Sequence, residues 1–356
     1  MYCNADTLNS RSNLLGGSLR QGTFTAFMSH QPMSAQHRQA LLMLLVANLF
    51  WGLSFPVIKA LGMVQERLLP GVSTWFSGLY TVAPRFLLAT LILLIVQARS
   101  GWRVTRGELK QGVIIGLFAA MGMLFQNDGL QFTAASTSAF LTQLYAVLIP
   151  VYLAIRSRRN PRVTVWLSCA LVLAGVAILG QFSWSTLSLG RGEWETLVAS
   201  LFFMGQILWL EKKEFAANRP EKLSLVMFAT QAVGFCIIGC ILAPNTNALI
   251  VPWLSPSWLG LTATLTVFST LGAYLIMNTW QPKITATEAG LIYCVEPIFG
   301  SAMALFLPGL LSLWAGINYP NELATLNLFV GGGLITAANI LIQLNPPPPI
   351  PPYTSP

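Results

Sequence analysis

Charge is what this chain has least of: 9% of its 356 residues are Asp, Glu, Lys or Arg, against 54% hydrophobic. With a positive mean hydropathy as well, an ordinary soluble domain of this length is excluded. Histidine is scarcer still. His30 and His37 both precede the first apolar run, so no membrane-embedded imidazole is available as base or metal ligand. The sequence also lacks G-x-S-x-G, H-E-x-x-H and a Walker-type Lys-Ser/Thr, which removes the motif grounds for a hydrolase, a zinc protease or a phosphate cradle. Of five cysteines, Cys169, Cys236, Cys240 and Cys294 fall inside apolar runs, where thiols pack as small hydrophobes rather than pair as disulfides. No catalytic residue, metal site or organic cofactor is expected.

Ten apolar runs are present, at 39–59, 77–97, 111–130, 136–155, 163–180, 194–210, 223–243, 258–280, 286–307 and 326–344. Each suits a tilted membrane-spanning helix, and together they predict an all-α polytopic membrane protein. The formal charge of +8 is no nucleic-acid footprint, because the basic residues sit in the short gaps between runs. Placing the N-terminus inside puts sixteen Lys and Arg on the cytoplasmic face, three on the other, and Arg85 in the membrane. That asymmetry predicts both termini to be cytoplasmic. Residues 1–38 read as a disordered cytoplasmic tail whose arginine bias also suits an organellar transit peptide, and 345–356 as an extended proline-rich tail.

The chain also repeats itself. Gln131-Phe-Thr-Ala-Ala-Ser-Thr-Ser-Ala139 answers Gln281-Pro-Lys-Ile-Thr-Ala-Thr-Glu-Ala289 at an offset of 150 residues, which also carries Gly122 onto Gly272 and Asp128 onto Asn278. Five spans per copy is an odd number, so the second copy must be inverted: ten transmembrane helices as two inverted-topology repeats of five, over 39–181 and 182–344. Such repeats are a transporter signature, since two alternative packings of similar halves open to opposite sides.

Glu296 lies ~15 Å into the ninth run at 1.5 Å per residue, close to the midplane. A carboxylate there costs on the order of 3 kcal/mol, so it faces a bundle interior or a wet cavity. Pro297 removes a backbone donor beside it and crowds the carbonyl of Tyr293. Arg85 is ~12 Å deep in the second run and needs a partner or water. Two roles are open for it: a functional one, holding a substrate carboxylate or phosphate or controlling the charge of Glu296, and a structural one, as an ion pair or an arginine that snorkels outward. Tyr293, Glu296 and Gly300 share one helical face; Gln143 answers Tyr293 at the repeat offset, and Gln126 lies one turn after Gly122. Trp51 sits near the outer end of the first span, at a cavity entrance or in an interfacial belt.

The first span, LLVANLFWGLSFPVIK, resembles the opening of EamA-type transporters of the drug/metabolite transporter superfamily. Arg85-Phe86-Leu87-Leu88 resembles the start of their second span, 135–150 their fourth, and Val295-Glu296-Pro297-Ile298-Phe299 their ninth. The resemblance implies a central cavity lined by the first four helices of each repeat, with the fifth and tenth at the periphery, where they support dimers. It also implies Trp51, Arg85, Gln143, Tyr293 and Glu296 as cavity residues. Gln126, Gln206 and Tyr274 join them by span assignment. Two departures stand out: Asn321-Glu322 replaces the usual Gly-Glu, and the 308–325 connection is unusually long.

The function expected is therefore secondary transport, exporting a small organic metabolite such as an amino acid by alternating access, with proton coupling or uniport both open. A non-transporting receptor or assembly factor is the alternative, and a membrane-embedded enzyme a more distant one. The partners expected are the small-molecule substrate, the lipid bilayer and a second copy in a homodimer, with no nucleic acid. A bacterial inner membrane is the expected location, with a plastid or other organellar membrane as the alternative.

Overall fold

The computed structural model describes residues 35–344 except 99, 100, 102, 130, 131, 133–137, 139, 140, 159 and 180–189. The N-terminal residues 1–34 and the proline-rich end therefore lie outside the described residues, as does most of the 131–139 repeat segment. The helices are α1 (Ala35–Leu68), α2 (Thr74–Gln97), α3 (Arg106–Gly129), α4 (Tyr145–Ser157), α5 (Val163–Leu179), α6 (Arg191–Leu210) and α7 (Pro220–Leu242). They continue with α8 (Pro256–Lys283), α9 (Ala286–Tyr293), α10 (Glu296–Ala304), α11 (Leu307–Ala315) and α12 (Leu326–Leu344). Among the described residues five helices are long and apolar enough to cross a membrane, and a sixth span forms if α9–α10 and α11 count as one broken segment, bent by 58°. Helices α4, α5 and α12 are shorter but apolar.

Local chemistry sets several starts. Ser73 caps α2 by accepting from the Phe76 N–H at 3.2 Å. Thr105 and Glu108 form a reciprocal cap at α3, and Thr285 and Glu288 another at α9. Pro256 and Pro297 stand in the first turns of α8 and α10, where a missing N–H costs nothing.

Some limits differ from the runs read in the sequence. Helix α1 begins at Ala35 and reaches Leu68, so His37 lies in its first turn. Helix α6 begins at Arg191, which the run limits leave in a loop. The long 308–325 connection contains most of α11, because its own Pro-Gly-Leu-Leu-Ser-Leu-Trp pattern is apolar enough to fold.

Four pairings organise the bundle: α3 on α6, α1 on α8, α2 on α7, and α5 on α12. The pairing of α5 with α12 is a close backbone approach, and so is the contact of α1 with α10. A Cβ at Gly175 of α5 would stand 2.7 Å from the Gly331 carbonyl of α12, and one at Gly52 of α1 would stand 2.6 Å from Phe299 of α10. Small residues let helices meet where lipid supplies no hydrophobic drive.

Candidate functional site

The break between α9 and α10 falls at Cys294–Val295, directly before Glu296. There the ladder tightens to three-residue spacing: Cys294 donates to the Leu291 carbonyl at 3.1 Å, and Val295 to that of Ile292 at 3.1 Å. The α4 segment breaks in the same way. Leu144 donates to Leu141 at 3.2 Å and Ala146 to Gln143 at 3.0 Å, so the turn at Gln143–Leu144 precedes α4 as Cys294–Val295 precedes α10. The two segments expected as fourth helices of the repeats are thus both interrupted by a tight turn.

Glu296 opens α10 half-buried, and among the described residues its carboxylate has neither a hydrogen bond nor an ion pair. Aromatic residues stand beside it. Trp51 of α1 packs edge-on against Tyr274 of α8 and Tyr293 of α9, with ring centroids 5.4 Å away in each case. The Tyr293 hydroxyl donates to Gln281 Oε1 at 2.8 Å, and Gln281 Nε2 donates to the Ile207 carbonyl at 2.9 Å. That chain ties α9, α8 and α6 together on one side of the acid.

Arg85 does not pair with Glu296. It is 3% exposed, and its Nε donates to Thr270 Oγ1 at 2.9 Å, while its guanidinium lies 5.5 Å from the Phe86 ring centroid. Of the roles open for Arg85, the structural ion pair with Glu296 is thereby removed. Tyr274 lies within electrostatic reach of both charges, and Tyr145 of Glu296 and Tyr293. Among the described residues the site therefore holds one carboxylate and one guanidinium, each without a counter-charge, with Tyr274 within electrostatic reach of both.

Thr270 belongs to a π-helical stretch, Leu265–Gly272, inside α8. Ser269 of the same stretch donates to the Phe50 carbonyl of α1 at 2.8 Å. Such wide turns re-aim side chains and recur at functional sites.

The remaining expected residues divide. Gln126 donates to Thr142 Oγ1 at 3.2 Å, joining α3 to the segment before α4. Gln143 is 2% exposed, and its Oε1 has no partner among the described residues, so it is a buried acceptor open to a donor. Gln206 reaches the Met277 sulfur at 4.0 Å, a packing contact between α6 and α8. Three participants were not expected. Tyr145 sits two residues after Gln143; Thr142 and Gln281 serve as hydrogen-bond partners, and only Gln281 carried a sequence signal, as the repeat image of Gln131. Near the start of α9, outside the spans, burial pushes the Glu211 carboxyl above its ordinary range, against the smaller opposing effect of the Ala286 N–H it faces. Among the described residues no group of three or more His, Cys, Asp or Glu side chains is placed to hold a metal ion.

Comparison with known proteins agrees with this architecture. Residues 38–181 match the model of the EamA-like transporter family. An uncharacterized transporter of Archaeoglobus fulgidus is 26% identical over 310 residues, covering 85% of this chain and 84% of that protein. A solved crystal structure superposes with a TM-score of 0.63 at 16% identity, covering 86% of this chain and 97% of that one, a likeness of fold. The chain is an integral membrane protein whose residues 38–181 carry an EamA-like domain, and its transporter-named relative supports a transporter of that type.

Proposed function

We propose that this transporter exports a small zwitterionic metabolite, such as an amino acid, by alternating access around the break at Glu296. The observation that carries the reading is the pair of charges with no counter-charge among the described residues: Glu296 without a hydrogen bond, and Arg85 held by the neutral Thr270 and the Phe86 ring. A charge at membrane depth is retained for a purpose when nothing nearby neutralises it. An amino acid supplies both missing partners, its ammonium to Glu296 and its carboxylate to Arg85. Trp51 and Tyr293 wall the site, and Gln126 and Gln143 offer polar atoms for orientation. Between turnovers a proton on Glu296 replaces the ammonium, which couples efflux to pH.

In this reading α1–α8, α9–α10 and α12 are ten spans in two inverted repeats, 39–181 and 182–344, with both termini cytoplasmic in a bacterial inner membrane. Two hydrogen bonds support the repeat. Thr74 Oγ1 donates to Asp128 at 3.4 Å, and Asn278 Nδ2 donates to Ser224 Oγ at 2.9 Å. Each residue of the first pair lies 150 positions before its counterpart in the second.

The test is efflux of a labelled amino-acid and metabolite panel from whole cells, at two external pH values. Glu296→Gln is expected to abolish efflux of one compound class together with its pH dependence, and Arg85→Gln to abolish efflux of carboxylate-bearing compounds. Efflux that survives unchanged in Glu296→Gln would sink the reading. Glu296→Asp, which keeps the charge, should retain part of the activity and so separates chemistry from misfolding.

A further inference from the structure

Lys110, Arg156 and Lys212 converge where α3, α4 and α6 end on the face richest in Lys and Arg. Lys110 is in the first turns of α3, Arg156 in the last turn of α4, and Lys212 two residues beyond α6. All three side chains are exposed, and Lys212 lies within electrostatic range of both other cations. Two of the amines are held in place by rings: Lys212 Nζ stands 3.2 Å from the Trp209 ring centroid, and Lys110 Nζ 5.5 Å from that of Phe215. Trp209 and Phe215 themselves pack with centroids 6.0 Å apart. Cation–π contacts of this kind fix a lysine that otherwise samples many rotamers.

One acid, Glu214, stands against both Lys110 and Lys212. Glu214 reaches Lys110 at 3.6 Å, but both side chains are about half exposed, at 51% and 57%, so the pair is weak. Glu211, next to Lys212 in the chain, faces the Ala286 N–H at the start of α9 instead. Beside the cations lie apolar side chains with nothing packed on them: Leu109 of α3 at 53% exposure and Ile155 of α4 at 74%. Helix faces of that kind meet acyl chains. Cations fixed at the head of an acyl-facing surface match one chemistry, a phosphodiester that carries two fatty chains.

We infer that Lys110, Arg156 and Lys212 form a binding site for the headgroup of an anionic glycerophospholipid of the phosphatidylglycerol class. The phosphodiester bridges the two ring-held amines, Arg156 closes the third side, and the acyl chains run down past Leu109 and Ile155. The site is separate from the transport break and would tether the ends of α3, α4 and α6 in one leaflet.

Native mass spectrometry on the purified full-length chain tests this directly. Retention of phosphatidylglycerol is compared with that of phosphatidylcholine, for the unaltered protein, for Lys110→Gln/Lys212→Gln and for Lys59→Gln/Arg67→Gln. The last carries the same charge change at the far end of α1. Each interfacial cation contributes on the order of fivefold in affinity, so the first double variant should lose phosphatidylglycerol by at least about tenfold. Phosphatidylcholine binding and the second double variant should be unchanged. Equal loss in the two variants, or no preference for phosphatidylglycerol in the unaltered protein, overturns the site. Displacement of the lipid by millimolar inorganic phosphate would mark a free-anion site and overturn the lipid assignment. Lys110→Arg/Lys212→Arg keeps both charges and must keep the preference, which guards against a variant that fails to fold.

Discussion

A buried arginine with a single neutral partner is an uneasy arrangement, and Thr270 is that partner for Arg85. Hydrogen bonds to charged groups are worth about 1.5–3 kcal/mol, so the threonine hydroxyl decides where the guanidinium points. Thr270→Val keeps the shape of the side chain and removes the hydroxyl. We expect it to raise the apparent KM for efflux by roughly tenfold or more, while Thr270→Ser stays near the unaltered value. Transport kinetics in vesicles check this, and equal behaviour of the two variants would show that Thr270 does not position Arg85. The residue scale is also where the sequence stopped being informative. Glu296 and Arg85 were both legible as charges at membrane depth, because each interrupts an apolar run. Whether they pair was not legible, since the separation of α2 from α10 depends on how the other helices pack. Thr270 was one of several hydroxyl residues in its span, and nothing in the letters set it apart as the one facing Arg85.

Helix boundaries were legible where local chemistry dictates them. Thr285 with Glu288 three residues later announces the start of α9, and Pro297 announces the break before α10. The matching break at Gln143–Leu144 gave no such notice, because the next proline is Pro150. Beyond that turn α4 lies close on α9, with the Ile149 side chain 2.9 Å from where a Cβ on Gly290 would stand. The π-helical stretch of α8 was equally silent, for a wide turn needs no distinctive residue. Contact between α5 and α12 makes a testable element-scale case. A Cβ at Gly175 would meet the Gly331 carbonyl at 2.7 Å and Ile335 Cγ1 at 2.8 Å, so two backbones must part to admit any side chain. Overpacking of this sort costs about 1–3 kcal/mol. Gly175→Val should lower the melting temperature in detergent, whereas Gly234→Ala in α7, where nothing lies within 4 Å, should leave it nearly unchanged. No difference between the two would mean that α5 and α12 do not pack as closely as the structure has them.

At the scale of the whole molecule, α3 is tied at both ends to the second half of the chain. At one end Arg219 Nε reaches Glu108 Oε1 at 2.7 Å and its Nη2 reaches Glu108 Oε2 at 3.0 Å. At the other, Arg191 Nη2 reaches Asp128, its Nε reaches Glu195 at 2.8 Å, and its guanidinium lies 4.2 Å from the Phe132 ring centroid. On the alternating access proposed above, one tie breaks while the other holds, so each tie is a term in the balance between the two openings. The repeat itself indicates the minimal change. Asn278 stands where Asp128 stands in the first half and bonds Ser224 without any charge, so Asp128→Asn should preserve the bond to Thr74 and weaken the hold on Arg191, while also removing the charge that faces Glu195. Ser138 is 1% exposed and shares a hydrogen bond with Thr196 at 3.2 Å, which makes it a reporter for separation at this end. In a cysteine-free background, Ser138→Cys should react with an impermeant maleimide on the order of tenfold faster once Asp128→Asn is added. Arg219→Ala loosens the opposite end and should leave that rate unchanged or slower. If Asp128→Asn and Arg219→Ala alter the labelling alike, the ties only hold the fold together, and the access switch has to be sought in the helix breaks instead.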